Sequence, residues 1–505
     1  MRNSTRRLQL GVSPAFFSFW RGLSGGVLAL CALTVADSLA QSPREAHRLE
    51  DGWAFHLGDV ERAQENALDD SAWSRVTLPH DWSIGLAVDE AAPAAGGGGF
   101  FPTGIGWYRR VIDVPASWSG RRIAIEFEGA YMNSEVWING VRLGNHPYGY
   151  TPFSYDLTRH LKPGEKNVLS VRVDNSSQPN SRWYSGSGLY RHVWLRVSDP
   201  VHVDEGKIFV STAALEKTTA LVDVSIPVRN EGTKRRDVTV ELTILDGKRV
   251  VATSRIDHDI APGRDWMAAA QLTVSDPRPW SPESPALYQL VARLTSGKTL
   301  LDETVTTFGI RTIRVSAAGG FELNGRSIEL LGGNLHHDNG VLGAAAFDRA
   351  EERKGELMKA AGINAVRTGH NPPSWAFLDA CDRLGLLVVN EIFDGWEKAK
   401  SKKDYSVYFR KWWRRDVDAW VMRGRNHPSV VMWSTGNEMY ERTGNAGYWI
   451  ALSLASRIRE LDSTRPLSAG VNGAGANGSW TQLDPVFSTL DIAGYNYELY
   501  QHAGD

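Results

Sequence analysis

Cysteine is nearly absent. The chain has two in 505 residues, and Cys31 falls in a leader-like segment, which leaves Cys381 alone in the processed chain. A disulfide framework and a cysteine metal cluster are both excluded. Cys381 sits in the helix-like stretch Phe377-Leu378-Asp379-Ala380-Cys381, where it reads as a small buried hydrophobe. An excess of one charge is absent too: 56 Lys and Arg stand against 58 Asp and Glu, a net −2. That leaves no electrostatic footprint for nucleic acid or an anionic membrane surface. No apolar run is long enough to span a bilayer comfortably; residues 25–36 give only twelve. Arg2, Arg6 and Arg7 precede that run, and Ser38-Leu39-Ala40 follows it with the small residues a signal peptidase reads. A signal peptide over 1–40 and export, periplasmic or secreted, are expected. Leu30 stands where a lipidated cysteine needs a small residue, which argues against a lipoprotein.

What the chain does have is material for several cores. It is 42% hydrophobic and 23% charged, over a length that suggests about three domains. Its 19 Trp serve such cores first, and their flat faces also stack on sugar rings. From 41 to 200 the rhythm is period two. Ile123, Ile125 and Phe127 alternate with Arg122, Ala124 and Glu126. Val136 and Ile138 lead through Asn139-Gly140 to Val141 and Leu143, a strong hairpin signal. Many short strands between Gly and Pro turns predict a β-sandwich of jelly-roll type. Residues 201–310 repeat the pattern. Val222, Val224, Ile226 and Val228 alternate, as do Val238, Val240, Leu242 and Ile244, around turns at Asn230-Glu231-Gly232 and Asp246-Gly247. That predicts an immunoglobulin-like sandwich, in which no functional residue stands out.

After Phe308 the rhythm changes. Apolar runs at 328–332, 363–367, 386–390, 430–434, 466–470 and 491–497 alternate with helical stretches such as 347–361. Alternating βα units predict a parallel sheet, here a (β/α) barrel over 311–505 with six strands. Each run ends in polar residues: His336-His337-Asp338, Arg367 to Asn371, Glu391 and Asp394, Asn437-Glu438, Asn472, and Tyr497. Strand C-terminal ends are where such a barrel gathers its active site.

The sharpest segment runs from Arg425 to Glu438. A buried strand delivers Asn437-Glu438 to its C-terminal end. A glycosidase needs a carboxylic acid there to protonate the leaving oxygen, and an Asn to donate to the neighbouring sugar hydroxyl. The competing reading of the dipeptide is a helix cap. His336, His337 and Asp338 suggest a metal cluster, but adjacent residues on a strand face opposite ways and rarely share one ion. Sugar hydroxyls are the better partner. His370, beside Asn371-Pro372-Pro373 at a strand end, reads as a pocket residue. The glycines at 96–99 lack a following Gly-Lys-Ser/Thr, and Arg191 stands where a dinucleotide fingerprint over 186–191 needs its third Gly.

On these stretches the chain resembles glycoside hydrolase family 2, nearest the bacterial β-galactosidases. The resemblance covers nearly the whole processed chain and rests on Leu78-Pro79-His80-Asp81-Trp82, Ser181 through Arg191, Phe308-Gly309-Ile310-Arg311, Leu335-His336-His337-Asp338, Asn364 through Pro372, Asn390 through Trp396, and the Asn437-Glu438 strand. It implies a sugar-binding jelly roll, an immunoglobulin-like sandwich and a TIM barrel, in that order, and release of terminal β-D-galactose with retention. It implies that Glu438 is the acid/base and that Asn437 binds the sugar 2-hydroxyl. His336 and His370 would contact the glycone, Tyr497 would hydrogen-bond the nucleophile, and Glu391 and Asp394 would line the pocket. His337, Asn371, Arg367 and Trp396 complete the expected substrate-binding set. Where some relatives place a His that supports Mg²⁺, two residues after the Glu391 position, this chain has Phe393. No cofactor is therefore expected, and a divalent metal is unsupported.

A retaining glycosidase needs two carboxylates roughly 5–5.5 Å apart. In this family the nucleophile closes the seventh strand, and residues 311–505 fall short of the about 250 residues a TIM barrel takes. The expectation is a barrel without its nucleophile strand, and little hydrolysis by these 505 residues. Glu498 follows the wrong strand for that part. The alternatives are a β-glucuronidase, a β-mannosidase, or a non-catalytic carbohydrate-binding protein. A glucuronidase should carry basic residues for the substrate carboxylate, and none of the motifs supplies them. A carbohydrate is the expected partner, with no nucleic acid or membrane; a homo-oligomer stays open.

Overall fold

The computed structural model describes residues 43–473 and 479–497. The expected signal peptide and Glu498 lie outside the described residues.

Two antiparallel sheets form the first sandwich. One holds Glu45–Arg48, Val193–Ser198, Arg122–Phe127 and Phe153–Asp156. The other holds six strands, with Gly104–Asp113 and Lys166–Asn175 at its centre. Ile123, Ile125 and Phe127 are buried beside Val136, Leu169 and Val171, as their alternation requires. Asn139 and Gly140 both take positive φ, 51° and 78°, the mirror-image turn that suits a twisted hairpin. Asn139 is held there by donating to Asn167 Oδ1 at 2.7 Å and to the His160 carbonyl at 2.9 Å.

The second sandwich faces the sheet containing Thr219–Asn230 and Arg264–Ser275 against the one containing Arg236–Asp246 and Tyr288–Ser296. All eight alternating residues from Val222 to Ile244 are buried in one core. Asn230 closes its turn by accepting from the Gly232 amide at 3.0 Å.

The third unit is a parallel sheet of six strands, paired in sequence order: β1 Gly332–Leu335, β2 Ala365–Thr368, β3 Leu387–Glu391, β4 Val430–Asn437, β5 Leu467–Val471 and β6 Ile492–Tyr495. It curls as part of a (β/α) barrel. Helices α1 Asp348–Ala360, α2 Trp375–Leu384, α3 Ser406–Gly424 and α4 Asn445–Leu461 connect the strands. Helix α2 shows local sequence at work. Ser374 caps it by accepting from the Phe377 amide, and Gly385 ends it with φ 70°. Cys381 is buried in α2, and burial raises its thiol pKa well above the ordinary value.

One expected strand is displaced. The run 328–332 does not form β1; the strand begins at Gly332 instead. Ile328 and Leu330 pack with Trp280 and Leu323 under the sheet, where Arg326–Ser327 closes a small antiparallel ribbon. The reason is steric. A Cβ at position 332 would lie 1.7 Å from the Ala365 carbonyl oxygen, so the pairing strand must start on glycine.

The motifs outside the barrel anchor it. Arg191, buried, donates to the Tyr150 and Pro372 carbonyls. Arg311, also buried, donates to those of Pro428 and Val430. Tyr131, Tyr148, Tyr150 and Tyr190 of the first sandwich belong to the barrel's own hydrophobic cluster. Among the described residues no helix is long and apolar enough to cross a membrane.

Candidate active site

Every residue of β4 is buried, and the strand runs straight into the polar cup at the sheet's C-terminal edge. Asn437 ends it. Glu438 then turns with φ 46° and donates its amide to the Gly470 carbonyl at 2.6 Å. That left-handed turn is costly for a residue with a side chain, and such strain concentrates at functional sites. Glu438 Oε1 accepts from Asn496 Nδ2 at 2.9 Å. The Tyr497 hydroxyl also bonds Glu438, and that bond raises the tyrosine pKa. Among the described residues, Glu438 is thus the carboxylate that the Tyr497 hydroxyl meets. The segment after β6 reaches past β5, across Gly470, to the residue that ends β4.

Two further carboxylates lie below the cup's rim, each held by cations. Glu391, at the end of β3, is fully buried. Its Oε2 accepts from Arg367 Nε at 2.9 Å, Arg367 Nη2 at 2.6 Å and Ser434 Oγ at 2.5 Å. Its Oε1 accepts from His370 Nδ1 at 2.5 Å. Burial pushes the Glu391 carboxyl up, but Arg367 and His370 more than offset it and hold it below the usual carboxylate range. Asp394 accepts from Arg182 Nε and Nη2, Lys400 Nζ and Asn437 Nδ2, at 2.6–3.0 Å. Burial again pushes upward, and Arg182 with Lys400 brings the Asp394 carboxyl down to about 2. Asn437 joins the two groups, since its Oδ1 accepts from Arg367 Nη2 at 3.0 Å and from Asn496 Nδ2 at 3.0 Å.

An aromatic wall completes the cup. The Trp183 ring lies 5.1 Å from that of His336 and 5.8 Å from that of His370. Burial, then the neighbouring His370, pushes the His336 pKa down.

The structure therefore gathers Glu438, Asn437, Arg367, Glu391, His370, Asp394, His336 and Tyr497. It does not gather three others. His337 turns away from His336, is buried, lies 3.2 Å from the Ser185 carbonyl and packs edge-on to Tyr150. Asn371 is buried and lines a small cavity behind His336 with Arg191, Glu351 and Ser374. Trp396 is fully buried and donates to the Thr435 carbonyl at 3.0 Å. It buttresses β4 from behind, where a Cβ on Gly436 would come within 2.9 Å of its Nε1. These three are supports, because burial takes their polar atoms away from the cup.

Sequence reasoning missed Arg182, Trp183, Lys400 and Asn496. The first two lie inside a quoted motif, which was signal enough. Lys400 sits in Glu397-Lys398-Ala399-Lys400, which reads as a solvated loop.

The comparisons with known proteins agree with this layout. The model described as "Glycosyl hydrolases family 2, sugar binding domain" matches residues 47–198. The model "Glycosyl hydrolases family 2" matches 201–311, and "Glycosyl hydrolases family 2, TIM barrel domain" matches 313–501. A β-galactosidase of Bacteroides ovatus, BoGH2A, is 40% identical over 90% of this chain and 57% of its own length. A putative β-glucuronidase of Formosa agariphila is 38% identical over 89% of this chain and 42% of its own. The crystal structure of a glycosyl hydrolase family 2 member from Bacteroides cellulosilyticus superposes with a TM-score of 0.88 at 42% identity, covering 91% of this chain and 60% of that one. The chain thus spans about half the length of the curated relatives it matches. With three models of one family following one another from 47 to 501, and the strand-end cup in place, the chain belongs to glycoside hydrolase family 2.

Proposed function

We propose that the protein is an exported, retaining glycosidase that acts on terminal β-D-galactosides, with Glu438 as acid/base. The observation that carries this is the turn at Asn437-Glu438. It aims one carboxylate into a cup whose other two carboxylates, Glu391 and Asp394, are already paired with cations. Glu438 would protonate the leaving oxygen, and Asn437 would donate to the 2-hydroxyl. Trp183, His336 and His370 would pack on the glycone. Neither Glu391 nor Asp394 is free to be the nucleophile, so the partner carboxylate of a retaining pair is not one of them.

A galactoside is favoured over a glucuronide because Arg182, Arg367 and Lys400 are each bonded to a protein carboxylate. A uronate would have to compete for them. The relatives named above include both specificities, so the test is a comparison of sugars. Titration calorimetry of the 505-residue chain with galactose-, glucuronate- and mannose-configured iminosugars should show the galactose form binding tightest, by about tenfold or ~1.4 kcal/mol. Glu438→Gln should weaken that binding at unchanged thermal stability. Preference for the glucuronate form would make the site a glucuronidase's. Binding indifferent to Glu438→Gln would favour a non-catalytic carbohydrate-binding protein.

A further inference from the structure

Some relatives place a His that supports Mg²⁺ two residues after the Glu391 position, and the residues of this cup do not fit such a cation. Phe393 stands at the position of the supporting His, is buried, and stacks on Tyr405 at 5.2 Å with 13° between ring planes. It offers no ligand atom and points into the core. A carboxylate has about four lone-pair sites. Asp394 accepts four bonds, three at Oδ1 from Arg182, Lys400 and Asn437 and one at Oδ2 from Arg182. Glu391 also accepts four, three at Oε2 from Arg367 twice and Ser434 once, and one at Oε1 from His370. A hard cation taking a ligand from either would sit against the protein cations already bonded to it, whose like charge opposes it. The charges also balance without it: Arg182, Arg367 and Lys400 stand against Glu391, Asp394 and Glu438.

Lys400 occupies the telling position. Its side chain is only 5% exposed. Nζ donates to Asp394 Oδ1 at 2.9 Å and to the Asn437 carbonyl at 2.7 Å, the carbonyl of the peptide that leads into Glu438. Burial lowers the Lys400 pKa, and the nearby carboxylates of Asp394 and Glu438 push it back up. A buried ammonium on oxygen ligands from Asp394 and the Asn437 backbone, next to the acid/base, is arranged as a small bound cation would be. We infer that Lys400 is a built-in cation of the cup: it is a positioning residue that fixes the Asn437-Glu438 turn and makes the site independent of divalent metal.

The inference rests on the reading of this cup as the catalytic site, and cation binding tests it separately from sugar binding. The probe is Mn²⁺ titrated into the full chain, with free Mn²⁺ followed by electron paramagnetic resonance. Only binding that Asp394→Asn removes is counted, which sets aside the Asp379, Asp382 and His427 cluster elsewhere in the barrel. Wild type should show no such binding. Lys400→Ala should gain one site, about tenfold or more tighter than any wild-type affinity, because a like charge has left a pair of oxygen ligands. Lys400→Arg should gain none. Mn²⁺ bound by wild type and lost in Asp394→Asn overturns the inference and leaves the glycosidase reading standing. Failure of Lys400→Ala to gain the site also overturns it. Should that variant not fold, the wild-type titration alone decides. A cup with no affinity for any sugar overturns the glycosidase reading and leaves the cation result intact.

Discussion

Asp394 shows how single residues set the chemistry of this cup. Burial raises its carboxyl pKa, and the Arg182, Lys400 and Asn437 contacts bring it down to about 2. A carboxylate whose folded pKa is depressed adds stability that is fully present above the unfolded value near 4. That stability drains away as pH falls through the folded value. Thermal melts between pH 5 and pH 2.5 should therefore show a steep acid loss in wild type and a shallower one in Asp394→Asn. An equal acid slope in the two proteins would mean that the Arg182–Asp394–Lys400 contacts do not bind the proton-free form in solution. The same residues mark what a single sequence reveals at this scale. Glu438, Asn437, His370 and Asp394 were legible because each follows a strand. His337, Asn371 and Trp396 follow strands too, yet turn away, because the loop backbone past each strand end buries them against other partners. Lys400 was not legible, since its partner Asn437 is brought near only by the barrel's curl.

At the scale of elements, five of the six barrel strands lie within a few residues of their apolar runs; β2 to β5 are buried on nearly every residue, and a strand buried on both faces has little else to be made of. The first is the exception. Its run 328–332 is consumed in the plug under the sheet, and the strand itself is Gly332-Gly333-Asn334-Leu335, with almost no apolar signal. The two glycines give a paired test. A Cβ at Gly332 would meet the Ala365 carbonyl, whereas at Gly333 none of the described atoms lies within 4 Å. Gly332→Ala should destabilise by about 2 kcal/mol or more, through backbone displacement of the β1–β2 pairing. Gly333→Ala should stay within about 0.5 kcal/mol. Denaturant unfolding of the two variants checks this, and equal losses would contradict the register given for β1.

At the scale of the whole molecule, the cup is not the barrel's alone. The first sandwich contributes Arg182 and Trp183 to its wall, and its Tyr131, Tyr148 and Tyr150 sit in the barrel's core. The three-domain order was legible from changes in periodicity. The shared wall was not, because 212 residues separate Arg182 from Asp394 and no local pattern joins them. The two domains share one cup: the first sandwich supplies Arg182 and Trp183 on one side, and the barrel supplies the turn at Asn437-Glu438 on the other. The most direct measurement is a crystal structure of the protein soaked with a galactose-configured iminosugar. The ring should lie between Trp183, His336, His370 and Glu438, with its nitrogen within hydrogen-bond reach of the Glu438 carboxylate and its 2-position facing Asn437. A sugar bound only on the outer face of the first sandwich, with the cup empty, would contradict the assignment of Glu438 as the acid/base of a galactosidase.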